Sequence, residues 1–70
     1  MNIGTKIRLI RKHSSLTQRR LEELSGISRA MICSYEKGKN EPPYFVVECL
    51  LNAMGYKLKV VKDDGKDDDF

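Results

Sequence analysis

The chain of 70 residues carries no Trp, one His and two Cys. Each scarcity closes a class of reading. Cys33 and Cys49 are too few to staple a small fold, and they read as small packing residues, with redox sensing by Cys33 as the alternative. His13 stands in a polar stretch without a Cys-x-x-Cys, so no zinc site is expected. There is no Gly-rich loop of the spacing that cradles phosphates. The C-terminal Asp run lacks the spaced ligands and the Glu of a calcium loop, and the adjacent Glu22 and Glu23 diverge on a helix. No apolar run approaches the roughly 20 residues of a membrane span, and no apolar stretch follows Met1. The expectation is a cytoplasmic protein in a reducing compartment, with no cofactor, no metal, no membrane and no enzymatic activity.

What is abundant is charge, divided unevenly. The formal net charge is +3. Residues 1–62 hold twelve Lys or Arg against five Glu, a net of +7, whereas residues 63–70 hold one Lys against five Asp, a net of −4. A short Asp-rich end has little to bury and reads as a disordered acidic tail. A chain this short forms one small domain, which buries only about 60% of its unfolded surface and commonly needs a partner.

The basic body reads as four short helices. Ile3, Ile7 and Ile10 follow the i, i+4, i+7 spacing of one helical face, predicting a first helix over 3–13 that stops at Ser14-Ser15. Thr17 caps a second helix with Leu21 and Leu24 inward, closed by Gly26. Ser28 caps a third with Ile32 and Tyr35 inward, closed by Gly38. Pro42 and Pro43 open a fourth, with Val47, Leu50, Leu51 and Met54 inward, ended by Gly55. Residues 56–61 then alternate with period two and read as one β-strand, whose ladder partner must come from outside the segment.

The stretch from Thr17 to Glu36 reads helix, tight turn, helix, with Ile27 plugging the angle between them. Two helices crossing steeply about a short turn form a helix-turn-helix, whose first helix lies across the DNA backbone while the second enters the major groove. A helical wheel with Ile32 at the origin puts Tyr35 on the core side, Ala30, Ser34 and Lys37 opposite, and Arg29 and Cys33 on one flank. Short side chains at Ala30 and Ser34 permit close approach to the groove. Arg29 suits a guanine edge and Ala30 a thymine methyl. The N-terminus of the second helix at Thr17 can hold a phosphate through its N–H groups, and Ser28, Lys37, Lys39 and Asn40 complete the expected phosphate contacts.

The residues resemble the Cro and phage-repressor type of helix-turn-helix regulator, also called the xenobiotic-response-element type. The resemblance runs from Ile3 to about Gly55. It rests on Ile3-Gly4, Thr17-Gln18 with Leu21, Ser25-Gly26-Ile27-Ser28-Arg29, Ile32, Tyr35-Glu36-Lys37-Gly38, Pro42 and Met54-Gly55. It implies an all-α, compact four-helix domain of lambda-repressor-like fold. It also implies a base or phosphate contact by Gln18, and an ion pair between Arg11 and Glu36 that locks the first helix to the third. One departure stands out: the family usually has Ala after the leucine of the second helix, where this chain has Glu22. Its carboxylate is expected to point out past the contact, or the helix pair to be slightly splayed.

The fourth helix also has a second apolar stripe, Val46, Cys49 and Ala53 with Phe45 beside it. A helix apolar nearly all round is buried on both sides, and in so small a chain the second side suits a subunit contact. With Tyr56, Leu58 and Val60 of the lone strand, that stripe predicts a homodimer and hence a palindromic operator. The expected organisation is a DNA-binding domain over 1–55, a dimerising strand over 56–62 and a tail over 63–70. The expected function is sequence-specific binding of double-stranded DNA as a dimeric repressor. The final strand also resembles antitoxin-type regulators, which leaves as an alternative an antitoxin that binds a toxin protein and autoregulates its operon.

Overall fold

A computed structural model describes residues 2–59 of the chain. Its elements are α1 (Ile3–His13), α2 (Gln18–Ser25), α3 (Arg29–Glu36) and α4 (Tyr44–Ala53). The boundaries follow from local chemistry. The first turn of a helix has N–H groups without intrahelical partners, and a short polar side chain just before it can satisfy one of them. Asn2 does so for α1 by accepting from the Thr5 N–H, Thr17 for α2 by accepting from Arg20, and Ser28 for α3 by accepting from Met31. Only α4 lacks a side-chain cap, because Pro43 stands at that position.

The C-termini are equally regular. After α1, α3 and α4 the chain turns through a left-handed residue while two backbone N–H groups reach back to the last carbonyls. In α3 these are Gly38 N–H to Tyr35 O and Lys39 N–H to Ser34 O, and in α4 Gly55 N–H to Asn52 O and Tyr56 N–H to Leu51 O. In α1 the left-handed position falls to Ser15, with φ of 59°, and the bonds run from Ser15 N–H to Lys12 O and from Leu16 N–H to Arg11 O.

The helices close on one another as α2 against α3, α2 against α4, and α1 against α3. Ile7, Leu21, Ile32, Tyr35, Val46 and Leu50 form the core, and Ile3, Ile27, Ala53 and Met54 pack on its edge. Ile7, Leu21, Ile32 and Leu50 are fully buried, each stabilising by about 1.5–3 kcal/mol relative to exposure.

Three assignments differ from the periodicity. Leu24 is 44% exposed. It is rotated about 60° from Leu21 on the helix, and α2 ends one residue later, so Leu21 alone supplies the buried face of α2. Val46, expected on the outer stripe of α4, is buried in the core beside Leu50. The inward face of α4 is therefore wider than one stripe and takes in Val46, Val47, Leu50 and Leu51. Ala53 also turns to the core edge, so the outer face keeps Phe45 and Cys49. The expected strand has no counterpart among the described residues: 56–59 form no strand. Val60, the rest of that segment and the acidic tail lie outside the described residues.

One contact constrains how α1 meets α3. Gly4 is buried, and a Cβ built on it would collide with the carbonyl oxygen of Tyr35. That obstacle is backbone and cannot rotate away. Within a helix, Ala is ordinarily more stabilising than Gly, by about 0.5–1 kcal/mol in the interior, and Gly4 stands in the first turn of α1. Here Gly4→Ala is expected to reverse that sign and destabilise by about 1–3 kcal/mol, the usual cost of overpacking. Urea unfolding of parent and variant checks this; a variant at least as stable as the parent would refute the contact.

Candidate nucleic-acid interface

The polar centre of the molecule is a single carboxylate. Glu36, in the last turn of α3, accepts from Arg11 Nε at 2.7 Å and from Arg11 Nη2 at 2.9 Å, a bidentate pair. Arg11 Nη1 donates to the Leu16 carbonyl at 2.8 Å, and Gln18 Nε2 donates to Glu36 Oε1 at 3.1 Å. Arg11 and Glu36 are both buried. Four points of the chain thus converge: the end of α1, the α1–α2 loop, the start of α2 and the end of α3. Among the described residues no buried side-chain N or O lacks a hydrogen-bond partner. Burial favours the neutral carboxyl of Glu36, but the hydrogen bonds from Arg11 and Gln18 and the charges of Arg11 and Arg8 outweigh it and hold its pKa below the usual value. The same hydrogen bond raises the pKa of Arg11 further.

This pair sets the face of α3 that remains outside. With Ile32 and Tyr35 turned into the core, Arg29 and Ala30 are exposed and Cys33 and Ser34 half-buried. Arg29, Ala30 and Cys33 line an open groove with Gln18. A second groove is lined by Arg11, Thr17, Gln18, Arg19 and Arg29, and a third by Arg8, Arg11, Lys12, Gln18, Glu36 and Lys37. Gln18 lies where the three meet. Its amide nitrogen is anchored on Glu36, which leaves its carbonyl oxygen and second N–H for another partner.

Among the remaining expected contacts, Ser34 and Asn40 are brought together, with Asn40 Nδ2 donating to Ser34 Oγ at 2.6 Å. The Ser34 hydroxyl keeps its own proton to donate. Thr17 and Ser28 are exposed, but each hydroxyl oxygen already accepts a helix N–H, so any further hydrogen bond from them must use the hydroxyl proton. Lys37 and Lys39 are exposed just past α3. Ser28 and Lys39 line none of the three grooves. On the face expected to join subunits, Phe45 is 65% and Tyr56 44% exposed, Cys49 is exposed and Leu58 half-buried.

The Glu22 carboxylate has a definite partner: it crosses the turn and accepts from the Arg29 N–H at 3.0 Å. The sequence signal was a carboxylate seven residues before the first residue of the next helix, where an anion suits the positive helix end.

A family model described as helix-turn-helix matches residues 7–61. An immunity repressor protein of Bacillus phage phi105 is 30% identical over 61 residues, which cover 87% of this chain and 42% of that relative. The chain thus spans less than half the length of the repressor it resembles. No solved structure matches. No helix among the described residues is long and apolar enough to cross a membrane.

Removing one member of a buried pair typically costs about 3–5 kcal/mol, because the other charge is left without a partner. Glu36→Ala is expected to lose that much at neutral pH, a large share of what a domain of this size has. A carboxyl whose folded pKa lies below its unfolded one stabilises above the unfolded value, and that stability is lost as pH falls through the folded value. The Tm gap between parent and Glu36→Gln should therefore be full near pH 7 and narrow below about pH 4.3. Equal Tm values at pH 7, or a gap that does not change with acid, would contradict the assignment.

Proposed function

The chain belongs to the helix-turn-helix family, and on that premise we propose that it is a DNA-binding transcriptional regulator, a sequence-specific repressor acting as a homodimer. The observation that carries the reading is the exposed face of α3. It presents Arg29 and Ala30 beside Gln18, while Ile32 and Tyr35 on its other side are buried. α3 enters the major groove, Arg29 donates to a guanine edge, Ala30 meets a thymine methyl, and Gln18 and Ser34 complete the base contacts. Thr17, Ser28, Lys37, Lys39 and Asn40 hold phosphates and set register without reading sequence.

Pairing of subunits is supported by the outer side of α4, where Phe45 and Cys49 lie four residues apart on one face, with Tyr56 exposed just beyond the helix. A two-fold pair spaces its recognition helices about 34 Å apart, one turn of DNA, and so selects palindromic sites. Occupancy of such an operator excludes polymerase, which is the sense of repression here. The likeness to a phage immunity repressor favours the same reading.

Selection from a random duplex pool should return a palindromic site, and Arg29→Ala should relax preference at one position per half-site by about 1–3 kcal/mol; an unchanged site would remove Arg29 from base reading. The affinity should fall linearly in log salt with a slope of about −0.9 per phosphate contact, and Lys37→Ala should reduce that slope by about one per protomer. A flat salt response would sink the DNA assignment.

A further inference from the structure

The turn between α2 and α3 is held by its own polar groups. The Gly26 N–H donates to the Glu22 carbonyl at 2.9 Å, the Ile27 N–H to Ser25 Oγ at 3.1 Å, the Arg29 N–H to Glu22 Oε2 at 3.0 Å and the Met31 N–H to Ser28 Oγ at 3.2 Å. Glu22 acts twice. Its carbonyl closes α2 and its carboxylate opens α3. Ser28 reaches only the third N–H of α3, so Glu22 is what holds the first, which belongs to Arg29 itself.

We propose that Glu22 is a positioning residue for base reading, a clasp across the turn that fixes the origin of the Arg29 side chain. The proposal rests on the DNA-reading assignment above. Arg29 is the first residue of its helix, where backbone frays most readily. Bidentate recognition tolerates only small displacements of the donor fork, so a supporting contact on the backbone of that same residue governs it. The carboxylate also stands at the positive end of α3. Toward a duplex of any sequence a fixed negative charge is a cost, so its value lies in the pose of α3 and not in attraction to DNA.

The test compares the parent with Glu22→Ala and Glu22→Gln. Ala is a good helix former, so α2 persists without the clasp. Gln keeps an acceptor oxygen and removes the charge. The duplex selected by the parent and a scrambled duplex are titrated with each protein, and exchange of the Arg29 amide proton is followed by NMR in the absence of DNA. Loss of such a cap is worth on the order of fivefold. Glu22→Ala should lower the ratio of selected to scrambled affinity by about that factor and speed Arg29 exchange, while Glu22→Gln should stay within about twofold of the parent ratio. An unchanged ratio in Glu22→Ala, or an equal loss in both variants, overturns the clasp. A parent with no preference for any duplex overturns the DNA-reading assignment instead, and Arg29 exchange then decides the clasp alone: equal rates in parent and Glu22→Ala overturn it.

Discussion

The carboxylate of Glu36 is the point on which the arrangement of this domain depends. It is buried at the end of α3, and a buried charge is costly unless its lone pairs are met. They are met by Arg11 from α1 and Gln18 from α2, while Nη1 of Arg11 donates to the Leu16 carbonyl. A pair of this kind is not a strong source of net stability, since apolar residues of like volume often do as well. Its effect is register. Sliding α1 against α3 would part Arg11 from Glu36, and sliding α2 would withdraw the Gln18 donor from the same carboxylate. Apolar packing around Ile7, Leu21 and Ile32 drives the helices together without specifying that placement as tightly.

α3 is consequently held at both ends by carboxylates and in the middle by apolar burial. Glu36, its own last residue, ties it to α1 and α2, and Glu22 from α2 receives its first N–H. Between them Ile32 and Tyr35 sit in the core, and Gly4 lets the backbone of α1 lie directly on the Tyr35 carbonyl. A helix of eight residues is too short to be stable alone, so its pose is the sum of these attachments. Base reading needs such a fixed pose, because the discrimination offered by a guanidinium fork depends on where its backbone stands. The grooves that meet at Gln18 show the economy of the arrangement: the side chain that helps satisfy the buried pair also borders the exposed face of α3.

Helix limits were legible along the chain because caps are local chemistry. Asn, Thr and Ser oxygens meet the N–H groups of the next turn whatever the tertiary context, and α1 spans the residues its spacing predicts. The Arg11–Glu36 pair was legible too, but only through the resemblance, since residues 25 apart carry no local signal of contact. Leu24 and Val46 were misassigned for one physical reason. In helices of eight and ten residues, periodicity identifies an apolar arc but not which part of it the neighbouring helices cover.

The amino-acid sequence by itself determined four short helices, a helix-turn-helix spacing, a basic body and the residue types on the outer side of α3, because each of these depends on neighbours within a turn or two. Tertiary structure alone decided which flank of α4 is core, that Gln18 is anchored on Glu36, that Asn40 is bound to Ser34, and that Glu22 reaches across the turn to Arg29. The aim of a side chain between elements is set by the crossing angle and separation of the helices that carry it. Those quantities emerge only when distant apolar residues are buried together, and they shift a side-chain oxygen by ångströms for small changes in packing.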